Sequence, residues 1–189
     1  MDTDTDAALS DRRALLGDDA LSKIARAMDL TVEWAGRATM ALILAMVLLI
    51  AGNVVLRYLF SMSSVALQEL EWHLLVPIAM FGCAYGLRHR SHVRVDVLHD
   101  LFGPLTKAWI DLVSAVAIAL SCALVAWLSV GFVISAWETG EGSPDPGGLE
   151  NRFIIKAAVP LGFVLLAMQG AVEAILAVKR IRARRAGDA

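Results

Sequence analysis

The segment from Gln68 to Asp96, QELEWHLLVPIAMFGCAYGLRHRSHVRVD, changes chemical character from one end to the other. It opens on two carboxylates, Glu69 and Glu71, runs apolar to Leu87, and closes on a burst of bases around His92. Acid, then a lipid-like middle, then base is the pattern of a polarised membrane span. Lysine and arginine collect on the cytoplasmic side of membranes, so this segment is expected to enter from outside and emerge inside. The other spans are oriented from it.

Composition agrees. The chain has 189 residues, 58% of them hydrophobic, and a mean hydropathy of +0.63, too apolar for an ordinary soluble domain. Four apolar runs stand out, over 38–56, 67–87, 109–135 and 154–178. At about 1.5 Å per residue each can cross a hydrocarbon core roughly 30 Å thick. Each is expected to be a helix, because lipid offers the backbone no hydrogen-bond partners. The third run is long enough to require tilt or projection beyond the lipid. Trp34, Tyr58, Trp72, Tyr85, Trp109 and Trp137 fall at or near the ends, as an aromatic belt requires. The fold class is therefore an all-α membrane protein with four transmembrane helices.

Basic residues set the topology. Lys23, Arg26 and Arg37 precede the first span, and Arg88, Arg90 and Arg94 separate the second from the third. Lys179, Arg180, Arg182, Arg184 and Arg185 follow the fourth, giving a basic tail over 179–189. The 137–153 connection instead carries Glu138, Glu141, Asp145 and Glu150 against Arg152. Both termini and the middle loop are expected to be cytoplasmic. Residues 1–18, acidic and without the basic-then-apolar pattern of a signal peptide, are expected to be a disordered tail. Over 19–36, apolar residues recur at Leu21, Ile24, Ala25, Met28 and Val32, which predicts a short amphipathic helix in the membrane interface.

Polar residues inside or beside the spans are the candidates for function, since charge at membrane depth is costly and usually paired. Arg57 closes the first span and Glu69 opens the second, with a short connection between them. An ion pair of Arg57 with Glu69, bracing the first hairpin, is the structural expectation. His73 is the only histidine within a span; His89, His92 and His99 lie beyond the second, so bis-histidine haem ligation is not expected. His92, Arg94 and Asp96 lack the spacing of a known metal site and suit an interfacial helix among anionic headgroups. Gln169 and Glu173 share a face of the fourth span, which Pro160 interrupts. Glu71, His73, His92, Arg94, Asp96, Gln169 and Glu173 are thus expected at partner or lipid contacts. The outer loop is dense in turn formers, and Ser143, Pro144, Asp145 and Pro146 form a candidate external docking loop.

Ala115, Ala119 and Ala123 recur at four-residue spacing in the third span, which lets helices approach closely. Cys83 and Cys122 both fall in apolar runs and read as small buried thiols. No phosphate loop, nucleophile–base set or zinc signature is present, so no catalytic residue, cofactor or metal is expected, and nothing points to nucleic acid. Four spans without visibly repeated halves make a poor self-sufficient transporter.

The segments NVVLRYLF, ALQELEW, GCAYGLRHRSHVRVDVL, SPDPGG and KAAVPLGFVLLAMQG together resemble the small membrane subunit of tripartite ATP-independent periplasmic (TRAP) transporters. The resemblance covers about residues 38–178, and Glu69 is taken for the family's carboxylate. It implies a non-catalytic scaffold in the bacterial inner membrane, bound to a larger, separate multi-span subunit that moves substrate by an elevator motion. It also implies a periplasmic binding protein that delivers an organic anion, commonly a carboxylate. Two other classes stand beside this reading. One is a self-contained small proton-coupled carrier using Glu69 or Glu71; the other is a membrane anchor of a respiratory enzyme.

Overall fold

The structure is a computed structural model that describes residue 17 and residues 19–89 and 103–187. It consists of four helices: α1 (Ala20–Leu59), α2 (Val65–Arg88), α3 (Pro104–Glu138) and α4 (Phe153–Gly187). All four are long and apolar enough to cross a membrane, and no strand occurs among the described residues. The runs expected over 38–56, 67–87, 109–135 and 154–178 each lie inside one of them.

The helices begin and end where the backbone chemistry changes. Gly103 is extended ahead of α3, and Pro104, which has no N–H to lose, takes the first helical turn. α1 stops at a residue with positive φ, Ser61 at 54°. Gly140, at φ 60°, turns the chain after α3, in a conformation glycine adopts without Cβ strain. Pro77 and Pro160 are carried inside α2 and α4.

Residues 20–36 do not form a separate interfacial helix. They are the opening turns of the 40-residue α1, which at about 1.5 Å per residue extends roughly 60 Å, about twice the hydrocarbon thickness. The stripe Ser22, Ala25, Asp29, Val32, Gly36 and Thr39 is buried on one face of that helix. What looked like amphipathicity toward lipid is the periodicity of a helix packed on its neighbours. The basic tail likewise continues α4 as far as Gly187.

α4 is the central helix, packing on α3, α2 and the start of α1. Ala25 of α1 meets Val172 and Leu176 of α4 in a fully buried cluster, flanked by Met28 and Ile175. Small residues set the spacings. A Cβ at Gly170 would stand 2.9 Å from the Ala119 backbone nitrogen, and one at Gly36 would overlap the Tyr85 ring. Of the alanines at four-residue spacing in α3, Ala115 and Ala119 are the ones that touch α4 in this way. Two connections, 60–64 and 139–152, lie at one end of the bundle, here the hairpin end; the start of α1 and the end of α4 lie at the other, the terminal end.

Candidate functional site

Two carboxylates enter α2 within its first two turns and face different ways. Successive helical residues turn by about 100°, so Glu69 and Glu71 project roughly 200° apart. Glu71 faces α1, where the Asn53 amide donates to it at 3.0 Å. Glu69 faces away from α1. It accepts hydrogen bonds from the Ser143 hydroxyl and, at 2.6 Å, from the Leu149 backbone N–H. The Arg57–Glu69 pair expected from the sequence is therefore not formed. Arg57 lies exposed over the Tyr58 ring, 5.5 Å from its centroid.

Around Glu69 the loop closes on itself. The Ser143 N–H donates to the Leu149 carbonyl, the Gly148 N–H to the Asp145 carbonyl and the Arg152 N–H to the Glu141 carbonyl, each at 3.0 Å. The Asp145 N–H also donates to the Ser143 hydroxyl at 3.1 Å. Gly147 takes φ 79°, and a Cβ on Gly148 would collide with Ser143 and stand 2.8 Å from a Glu69 oxygen. Glycine at 148 is thus what lets the loop reach the carboxylate. Lys156 pairs with Glu141 and sits 4.1 Å from the Phe132 ring centroid, pinning the loop's base to the α3–α4 hairpin. Trp137 and Phe153 close the hairpin edge to face, with ring centroids 4.5 Å apart. The result is a shaped loop around a hollow of about 350 Å³, with Ser143, Asp145 and Glu150 among its lining residues.

His73 lies one turn below Glu69 and directs Nδ1 at the Glu69 carbonyl, 2.6 Å away. That contact requires a hydrogen on Nδ1. The His73 Nε2 is buried without a hydrogen-bond partner among the described residues. Gln169 is fully buried, with its Nε2 donating to Glu173 at 3.2 Å. The two residues share a face of α4, and Gln169, expected at a partner or lipid contact, is buried in the bundle interior. His92, Arg94 and Asp96 lie outside the described residues.

A second polar cluster, absent from the sequence-based candidates, joins α1 to α2 toward the terminal end. Arg88 donates through Nε and Nη2 to Asp29, at 3.0 and 2.9 Å, and through Nη1 to Glu33. His89 Nε2 lies 3.3 Å from Glu33 and its ring packs on Tyr85. Asp29 lies on the buried stripe of α1 and Glu33, half-buried, one helical turn further on; that spacing is the signal that locates them. Nearer the chain's start, Lys179 of α4 reaches Asp19, at 3.1 Å, and Ser22. The Ser22 hydroxyl, followed by Lys179, holds the Asp19 carboxyl down to about 2.

These groups position helices and a loop. No set of three or more His, Cys, Asp or Glu side chains among the described residues is arranged to hold a metal ion. A family model described as "Tripartite ATP-independent periplasmic transporters, DctQ component" matches residues 46–180. The chain is also similar to the C4-dicarboxylate TRAP transporter small permease protein DctQ of Rhodobacter capsulatus. The two are 34% identical over 100 residues, which cover 52% of this chain and 43% of that relative. The match thus spans less than half of the relative's length. No solved structure matches the chain.

Proposed function

The chain belongs to the DctQ family of TRAP transporter components, and from that premise we propose that it is the scaffold subunit of an ion-coupled uptake system for an organic anion. As a member of that family it is a transporter component, not an enzyme. Its partners in this reading are a large multi-span membrane subunit, which moves the substrate, and a periplasmic binding protein, which delivers it. A C4-dicarboxylate is the substrate class that the Rhodobacter relative's name supports. The system sits in the bacterial inner membrane, with both termini inside and the 139–152 loop in the periplasm, where Ser143, Pro144, Asp145 and Pro146 meet the delivery protein.

The observation that carries this reading is the use made of Glu69. A carrier that worked alone would need a carboxylate able to exchange a proton or ion with a cavity. Glu69 instead holds a loop through two donors, and Glu71 holds Asn53. Both are structural acceptors. Purified and reconstituted alone, the chain is expected to give no C4-dicarboxylate uptake under a sodium or proton gradient. Co-reconstituted with the large subunit and the binding protein, it is expected to restore uptake. Saturable uptake by the chain alone overturns the scaffold reading.

A further inference from the structure

The last turns of α4 carry three exposed bases, Arg182, Arg184 and Arg185, and among the described residues none of them forms an ion pair. Lys179, one turn earlier, is by contrast held by Asp19 and Ser22. Arg185 turns instead onto the neighbouring helix, where its guanidinium lies 5.8 Å from the centroid of the Trp109 ring of α3. Arg182 stands three residues before Arg185 and shares its face of α4. The carboxylate nearest to Trp109 along α3 is Asp111, two residues on and so about 200° round the helix.

The depth of Trp109 decides what this patch meets. Trp109 and Trp137 stand toward the two ends of α3. At about 1.5 Å per residue they are roughly 42 Å apart along the axis, matching the about 40–45 Å of a bilayer with its headgroups. From Leu112 to Trp137 the helix carries no charged residue. Trp109 therefore marks a polar–apolar boundary, where tryptophan rings gather, and the guanidinium stacked on it lies at the level of lipid phosphates.

Inward from that boundary the same side of α3 is apolar and open. Trp109, Val113 and Val116 recur at helical spacing, and all three are exposed. None is small enough to let a neighbouring helix come close. The face that α3 packs on α4 is different, with Ala108 and Ala115 buried and Ala119 against Gly170. Cation, aromatic ring and apolar stripe follow one another from the boundary inward. An anionic phospholipid has the matching order of phosphate, glycerol and acyl chain.

We propose that Arg182, Arg185 and Trp109 form the headgroup site of one anionic phospholipid. Its phosphate meets the two guanidiniums, whose planar forks match phosphate oxygens, and one acyl chain lies along Val113 and Val116. Basic pockets between transmembrane helices hold anionic headgroups in this way. The site does not depend on the scaffold reading.

The full chain in nanodiscs of phosphatidylcholine with a minor share of phosphatidylglycerol tests it. One lipid or the other carries a diazirine in its acyl chain, and adducts are mapped by peptide mass. Phosphatidylglycerol adducts are expected between Trp109 and Val116, in excess of those from labelled phosphatidylcholine. A base near an anionic surface contributes about 1 kcal/mol, so Arg182→Gln and Arg185→Gln are each expected to lower that excess about fivefold. Arg57→Gln removes the same charge from an exposed site at the hairpin end and should leave it unchanged. Equal labelling by the two lipids, or an equal loss in all three variants, refutes the site. Glycerol phosphate has the head without the chain and is not expected to compete at millimolar concentration. Displacement by it refutes the seat for an acyl chain. Loss of the adducts when the large membrane subunit is co-expressed shows that a protein helix covers this face, and refutes lipid as the occupant.

Discussion

The Glu69 carboxylate and the Leu149 backbone N–H lie 2.6 Å apart, tying the second turn of α2 to a loop eighty residues further along the chain. Ser143 donates to the same carboxylate, so one side chain fixes both limbs of the loop. A carboxylate accepts at both oxygens; a carboxamide at 69 still accepts from Leu149 with its oxygen and donates its NH2 to the Ser143 hydroxyl, losing only the charge assistance, whereas Glu69→Ala releases both limbs. A spin label at Gly142 should therefore gain much more mobility in Glu69→Ala than in Glu69→Gln. If Ser143→Ala is added to Glu69→Ala, little further mobility is expected, because the shared contact is already lost. An unchanged spectrum in Glu69→Ala would show that the loop holds its shape without the carboxylate.

Gly36 sets how closely α1 and α2 pack. A Cβ there would overlap the Tyr85 ring and stand 2.8 Å from the Tyr85 Cβ, which no ring rotation relieves. Gly36→Ala is expected to cost about 1–3 kcal/mol, as overpacked cores do. In a Tyr85→Ala background the ring overlap is gone but the Cβ contact stays, so the same change should cost less without becoming neutral. Thermal unfolding of the four variants in detergent reads the coupling, and an equal loss in both backgrounds contradicts the contact.

Arg88 pairs with two carboxylates of α1, buried Asp29 and half-buried Glu33, which also meets Arg37, and its own side chain is only 11% exposed. Arg88→Gln leaves Asp29 and Glu33 facing one another without that counter-charge. The loss is expected near the lower end of the roughly 3–5 kcal/mol typical of a broken buried pair, since the cluster stands at a helix end. Combining Arg88→Gln with Asp29→Asn and Glu33→Gln should recover part of it. A triple variant less stable than the single one would mean that the carboxylates have other essential partners.

Asp19 titrates at about 2, lowered by the Ser22 hydroxyl and then by Lys179. The carboxyl of an unfolded chain titrates near 3.9, so the contact contributes at pH values above that. Its contribution fades as the pH falls toward 2. Carbon-13 NMR of the Asp19 carboxyl should show the low midpoint. Ser22→Ala should raise it more than Lys179→Ala does. A midpoint unaffected by either substitution would remove the clasp.

Four apolar helices and the acidic loop between the last two were legible because lipid imposes simple demands on composition. Side-chain partners were not. Arg57 and Glu69 are close in sequence, and short connections make neighbours, but neighbouring helices pair only residues whose phases face each other. The 200° between Glu69 and Glu71 decides which carboxylate meets α1, and Asn53 takes Glu71. The phase was available in the sequence; the partner was not, because Ser143 and Leu149 arrive from a distant loop. Asp29 and Glu33 were hidden differently. The reading of 19–36 followed its apolar periodicity alone, and it is the packing of α1 on α2 that sets both beside Arg88.

Topology remains a charge argument, and it can be checked directly. The bases on α4 from Lys179 to Arg185 and the acids between Glu138 and Glu150 place opposite signs at the two ends of one hairpin. Under the positive-inside rule the terminal end is expected in the cytoplasm and the loop in the periplasm. Single cysteines at Gly142 and at Ala183, in a background with Cys83 and Cys122 replaced by alanine, report the two sides. Gly142 lines the loop hollow and Ala183 is exposed on α4, so a reagent present on either side meets an accessible thiol. In spheroplasts an impermeant maleimide should label position 142 and leave 183 unlabelled until the membrane is opened. The reverse pattern would invert the protein. It would also place the Glu69-held loop in the cytoplasm, where no periplasmic delivery protein could reach it.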